Sequence, residues 1–345
     1  MIIIVGIILL SLLFTTKVHL SSINQDYASK ANTLVIKGLF VVCVFLSHIR
    51  TYVNFQSFGD VYVIKCLDLL GQLMVTLFLF YSGYGVFESI KAKGEKYIND
   101  FPVHRILMLF CDFAFVVIVF VLLGFFVGRE MSLGNVLLAF TGWTSVGNSN
   151  WYMFAIFTLY IITYISFRFL KQKHFISICL VTTLSLLYVY IMSDLQPSRF
   201  SNTYLCYVMG MWYSYFKTNI DYFLQKYNLL QYVCMVMIIL FFVKFYSFKG
   251  IRLMFYNIES ILFCLMVVFI SMRFTFESKI ISWLGHYLFW IYILQRIPMI
   301  LLDYYSVTNS TLFLIITTVA TLVLSFLAQK LSETFKSLVF KIKRA

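Results

Sequence analysis

"LVIKGLFVVCVFLSHIRTYV", Leu34 to Val53, decides the fold. Twenty mostly apolar residues in helical form are long enough to cross a hydrocarbon layer of about 30 Å. Yet the stretch holds Lys37 and His48. A lysine at the centre of a span costs about 2.5–3.5 kcal/mol on insertion scales, so such a group marks function by default. Eleven residues separate the two, which is about three turns and ~16 Å of rise. That spacing returns both side chains to nearly one face of a helix. A cation therefore stands toward one end of the stripe and an imidazole toward the other. Gly38 opens the backbone beside Lys37, and Ser47 adjoins His48.

The rest of the chain agrees with this reading. Of 345 residues, 61% are hydrophobic and only 12% are charged, with a mean hydropathy of +0.90. Soluble domains carry about 25% charged residues, so the composition excludes one and predicts an all-α, polytopic membrane helix bundle. The net charge of +13 is explained by topology and anionic lipid headgroups, with membrane lipids and not nucleic acid as the partner. The 7 cysteines are scattered among the spans without a C-x-x-C pair. That pattern predicts no zinc site, no other metal and no disulfide framework.

Apolar runs predict about eleven spans. They lie near 1–16, 34–53, 66–88, 105–128, 150–168, 175–193, 201–216, 229–247, 253–272, 280–302 and 311–328. The first reads as an anchor helix within 1–20, because it lacks a basic leader and a small-residue cleavage site. Residues 34–328 form the core and 329–345 a basic tail. Pro298 alone of the 3 prolines falls inside a span, so few helices are expected to kink. Lys330, Lys336, Lys341, Lys343 and Arg344 put the tail in the cytoplasm. Alternating back from there leaves most Lys and Arg inside and the N-terminus outside. The loop "VKFYSFKGIR" then lies outside, against its own charge. No loop is large enough for a separate catalytic domain, so any chemistry is built from helix ends and short loops.

Three further stretches point the same way as Lys37 and His48. "LFLFYSGYGVFES" carries Ser82, Gly83 and Tyr84 behind Phe78 and Phe80; "GNSNWYMFAIFTLY" opens a helix with Trp151 and Tyr152; "WLGHYLFWIYILQRIPM" carries Ile291–Gln295. In order and spacing, from about Leu34 to Ala328, these resemble the acyltransferase-3 family of bacterial membrane acyltransferases. The first helix is extra to a ten-helix core. Two positions depart from the family: Lys37 stands where arginine is usual, and Gln295 where many members have histidine. The first exchanges a planar bidentate donor for a point charge.

The resemblance implies an enzyme of the bacterial cell membrane with no bound cofactor. Such an enzyme takes an acyl group, acetyl by expectation, from cytoplasmic acyl-coenzyme A. It places the group on a hydroxyl of a surface polysaccharide or glycolipid. In that chemistry a neutral histidine is the side chain suited to be the base near pH 7, and His48 is the candidate. Direct attack on the thioester and prior acylation of His48 both remain open.

Coenzyme A phosphates need cations at the inner side, and "ESIKAKGEKYINDFPVHRIL" offers Lys91, Lys93, Lys96, His104 and Arg105. Arg105, read as a helix N-terminus, matches an arginine of the family and is preferred. Lys37, Ser82, Gly83, Tyr84 and Arg105 thus form the expected donor side. Ser82 and Gly83 read equally as small residues for close helix packing. Trp151, Tyr152, Glu259 and Arg296 form the expected acceptor or supporting side. Glu259 and Arg296 are intramembrane charges that either pair with each other or leave Glu259 to orient His48. A glycan-precursor carrier or flippase is the rival function. An inactive scaffold subunit would leave Lys37 and His48 unexplained.

Overall fold

A computed structural model describes residues 1–19, 22–170, 173–248 and 253–340. The tail residues Lys341, Lys343 and Arg344, and positions 249–252 of the "VKFYSFKGIR" loop, lie outside the described residues. Among the described residues the regular structure is helical except for one two-stranded ribbon. It begins with α1 (Ile2–Thr15), β1 (Thr16–Val18) and α2 (Lys30–Ile49). Ser29 caps α2 by accepting from Asn32 N–H at 3.3 Å. We call the face where α2 starts the near face and the face where it ends the far face.

From the far face α3 (Phe58–Leu70) leads to α4 (Leu73–Lys93), which returns to the near face. There α5 (Glu95–Phe101) runs through a π-helical turn, Pro102–Leu107, into α6 (Met108–Phe126). A far loop holds α7 (Leu133–Ala139); α8 (Trp151–Phe169) and α9 (His174–Leu195) then cross and return. A 3₁₀ turn at Ser198–Phe200 precedes α10 (Leu205–Lys226), α11 (Asn228–Tyr246) and α12 (Leu253–Ser271). Next come β2 (Phe274–Phe276), α13 (Lys279–His286), α14 (Leu288–Leu294), α15 (Arg296–Tyr304) and α16 (Ser310–Val339). The strands β1 and β2 pair antiparallel at the near face, with Lys17 opposite Thr275.

Among the described residues, eight helices are long and apolar enough to cross a membrane, and the protein is a multi-pass membrane protein. The other three of the eleven expected spans need correction. Only 14 residues long, α1 rises about 21 Å and is short for a full crossing. Lys217, Asp221 and Lys226 keep α10 from being apolar along its length. The expected span 280–302 is three short helices. Pro298 accounts for the α14–α15 break, because it has no N–H and its ring crowds the carbonyl of residue 294. The break at Tyr287 needs no proline, nor does the one at Gly71 (φ +48°) between α3 and α4. The expectation of few interruptions therefore fails. The expected span 66–88 begins inside α3 and crosses that break. The last helix runs on through Val339, so residues 329–339 extend it.

Two backbone contacts tie the centre together. A Cβ at Gly83 of α4 would stand 2.0 Å from the Tyr207 carbonyl oxygen of α10, and one at Gly210 2.0 Å from that of Phe80. The same reciprocity joins α2 and α13: a Cβ at Gly38 would lie 1.9 Å from the Ile281 oxygen, and one at Gly285 1.9 Å from that of Leu34. Only glycine permits such approach. These contacts hold α2, which carries both Lys37 and His48, against α13, and α4 against α10. At the near face Tyr27 is buried. It bonds Tyr213 Oη at 2.7 Å and donates to Asp221 at 2.8 Å. Burial and these neighbours push its hydroxyl pKa up, and the bonds pin the lead-in to α2 onto α10.

Candidate active site

His48 opens onto a far-face cavity of about 340 Å³. Five separate parts of the chain build it. The end of α2 gives Ser47 and His48; the α3–α4 junction gives Gln72; the loop before α8 gives Asn148, Ser149 and Trp151. The 3₁₀ turn gives Arg199, and the α14–α15 break gives Tyr292 and Arg296. The loop is held by its own bonds. Asn150 donates to the Gly142 carbonyl at 2.9 Å, and Ser145 to the Asn148 carbonyl at 2.7 Å. Gln295, fully buried, donates to the Tyr292 carbonyl at 2.8 Å. That bond satisfies an acceptor exposed where α14 ends.

His48 Nδ1 is buried without a hydrogen-bond partner. No carboxylate lines the cavity among the described residues. The charge that acts on His48 is that of Arg296. The imidazole is thus available and faces a cation instead of a triad-like acid. This departs from the usual triad, in which a carboxylate orients the histidine.

Near the other end of α2, Lys37 lies 5.8 Å from the centre of the Tyr81 ring. It is within electrostatic reach of Arg105. Neither cation forms an ion pair among the described residues. Arg105 donates Nε–H to Tyr97 Oη at 2.8 Å, and Tyr160 and Tyr207 act on it electrostatically. Ser82 shares a 3.0 Å bond with Tyr160, and Tyr207 one of 3.1 Å with Thr163. Two part-buried cations with no protein acid beside them, walled by phenols, form a natural place for an anion. Arg105 is not at a helix N-terminus, contrary to expectation. It sits in the π turn, inside a helical run from Glu95 to Phe126, so backbone N–H groups are spent within the helix. Single π turns in α-helices frequently coincide with functional positions.

The remaining expected residues divide. Trp151 lines the far cavity. Tyr152 does not: it packs between Phe78 and Tyr292, at centroid distances of 6.4 and 5.4 Å, in the wall between the two centres. Tyr84 stands near Tyr213, at 6.4 Å, in the near-face network. Gly83 serves the α4–α10 contact. Glu259 is fully buried on α12 and acts on Tyr256. It lies outside the His48 cavity, and no ion pair joins it to Arg296. Lys91 is engaged, donating to Glu88 at 2.7 Å and to the Ser214 carbonyl at 2.9 Å.

Sequence reasoning missed Arg199, Gln72 and Tyr292 at the far centre, and Tyr97, Tyr160 and Tyr207 at the near one. Arg199 gave a signal that went unused: it lies in "LQPSRF", a turn sequence with no acid at helical spacing. Tyr97, Tyr160 and Tyr207 gave none, being three among 24 tyrosines.

Residues 35–330 match the family model described as an acyltransferase domain, acyltransferase 3. No curated protein and no solved structure matches the chain.

Proposed function

The chain belongs to the acyltransferase-3 family, and we propose that it moves an acyl group, acetyl in the simplest case, from acyl-coenzyme A to a hydroxyl of a surface polysaccharide or glycolipid. The observation that carries this reading is the pairing of two centres on one unbroken helix. A cation pair without acids stands about three turns from a histidine that opens into a cavity. A long thin donor, with phosphates at one end and a thioester at the other, suits that separation. In this reading the near face is cytoplasmic and the far face is outside. Lys37 and Arg105 hold donor phosphate, with Ser82 and Tyr84 beside the arm.

The acceptor hydroxyl enters the far cavity, where Trp151 offers a flat apolar face to a sugar ring. His48 takes the hydroxyl proton as the oxygen attacks the thioester carbonyl. Arg296 faces the negative charge that develops on the carbonyl oxygen. The carbon–sulfur bond then breaks, and the coenzyme thiolate leaves, taking up a proton. The products are an ester and free coenzyme A.

His48→Gln tests the assignment. It keeps bulk and hydrogen bonding but cannot serve as the base. Transfer should fall by roughly 10²–10⁴-fold, with donor binding and yield of folded protein retained. Near wild-type transfer by the Gln variant removes His48 from the chemistry.

One observation favours a second reading, a glycan-precursor carrier. The interrupted α13–α15 segment puts a helix break beside Arg296 at the cavity, and broken spans are typical of carriers. A carrier leaves no ester on its cargo, so product mass separates the two.

A further inference from the structure

The far cavity carries two arginines and, among the described residues, no acid. Arg296 Nε and Asn148 Nδ2 are both buried and have no hydrogen-bond partner. Two side-chain amide oxygens nearby are already used, while His48 Nδ1 and Tyr292 Oη are buried without a partner. Asn148 Oδ1 takes the Val146 N–H at 3.2 Å, and Gln72 Oε1 takes Asn202 Nδ2 at 3.1 Å. Arg199 and Arg296 both act on Tyr292 between them, neither is in an ion pair, and no Asp or Glu lines the cavity among the described residues. A neutral sugar can bond to those groups, but it brings no negative charge to set against the two guanidiniums. Arg296, with its Nε buried and unpaired, is costly there unless an anion joins it, and Arg199 faces the same half-enclosed space from the rim.

We propose that the acceptor presented to His48 is anionic, carrying a carboxylate or phosphate held by Arg296 and Arg199 beside the hydroxyl that is acylated. This rests on the acyltransferase reading, but the binding preference it implies does not depend on turnover. Guanidinium forks match both anions in a bidentate manner. Arg296, next to His48, has a second use in facing the oxyanion. Arg199 is exposed at the rim, so its part is recognition.

The test uses the full chain, purified into lipid nanodiscs, with three probes: methyl glucoside, methyl glucuronide and methyl glucoside 6-phosphate. Calorimetry reads binding, and mass spectrometry reads ester formation from acetyl-coenzyme A. At least one charged probe should bind ~10-fold or more tightly than the neutral one. Which charged probe leads tells a uronic-acid acceptor from a phosphate-bearing one. Arg199→Gln should abolish most of the preference, raising KM for the charged probe with kcat little changed, and Arg199→Lys should restore part of it. The preference should also shrink as salt rises. Equal binding of the neutral probe overturns the proposal, as does a preference unmoved in Arg199→Gln, or no binding of any probe. Charged probes that bind preferentially yet yield no ester uphold the anionic ligand and remove acyl transfer instead.

Discussion

Arg105 and Lys91 are both near-face cations, but only Arg105 has capacity to spare. Lys91 already holds Glu88 and a backbone carbonyl, whereas Arg105 spends one N–H on Tyr97. Arg105→Ala should therefore weaken acyl-coenzyme A binding by about 10-fold or more, the scale of one charge-assisted bond. Lys91→Ala should change it little, and Lys37→Arg should keep it, since the charge stays. Isothermal titration with a non-hydrolysable donor analogue checks all three, and equal affinity in wild type and Arg105→Ala contradicts the assignment. At this scale the sequence was readable where helical spacing carries the information. Lys37 and His48 are related by the 3.6-residue turn alone. Arg199 meets Arg296 through packing of elements almost a hundred residues apart, and no local period encodes that.

The elements are set by close backbone contacts more than by apolar length. Gly83 and Gly210 let α4 and α10 touch, as Gly38 and Gly285 do for α2 and α13. Gly83→Ala and Gly285→Ala should each destabilise the protein by about 1–3 kcal/mol, the usual cost of overpacking. Thermal unfolding in detergent reads this, and an unchanged midpoint for both contradicts the contact. Gly285→Ala should also lower transfer per folded molecule, because α2 carries both centres. Gly38 and Gly83 were legible as points of close approach. The breaks at Gly71 and Tyr287 were not, because apolar residues continue across them and a hydropathy window averages over one or two turn residues. Pro298 was legible because a missing N–H inside an apolar run tends to break the helix, although Pro102 sits at the start of the π turn without ending the run from Glu95 to Phe126.

For the whole molecule, orientation turns the two centres into a direction of transfer. The proposal puts Lys96 in the cytoplasm and Glu130 outside. Single cysteines at these exposed positions, in a background with the native cysteines replaced, should be labelled by a membrane-impermeant maleimide from opposite sides, Glu130→Cys from outside. The reverse pattern would invert the direction. The central claim is that one chain passes an acyl group between a donor on one side and an acceptor on the other. Sealed vesicles of the purified protein in uniform orientation test it directly, with labelled acetyl-coenzyme A confined to the Lys96 side and the glycan acceptor to the Glu130 side. The account predicts labelled ester on the acceptor, abolished by His48→Gln. Ester formed only when donor and acceptor share a side, or acceptor that crosses the membrane without gaining label, would contradict it.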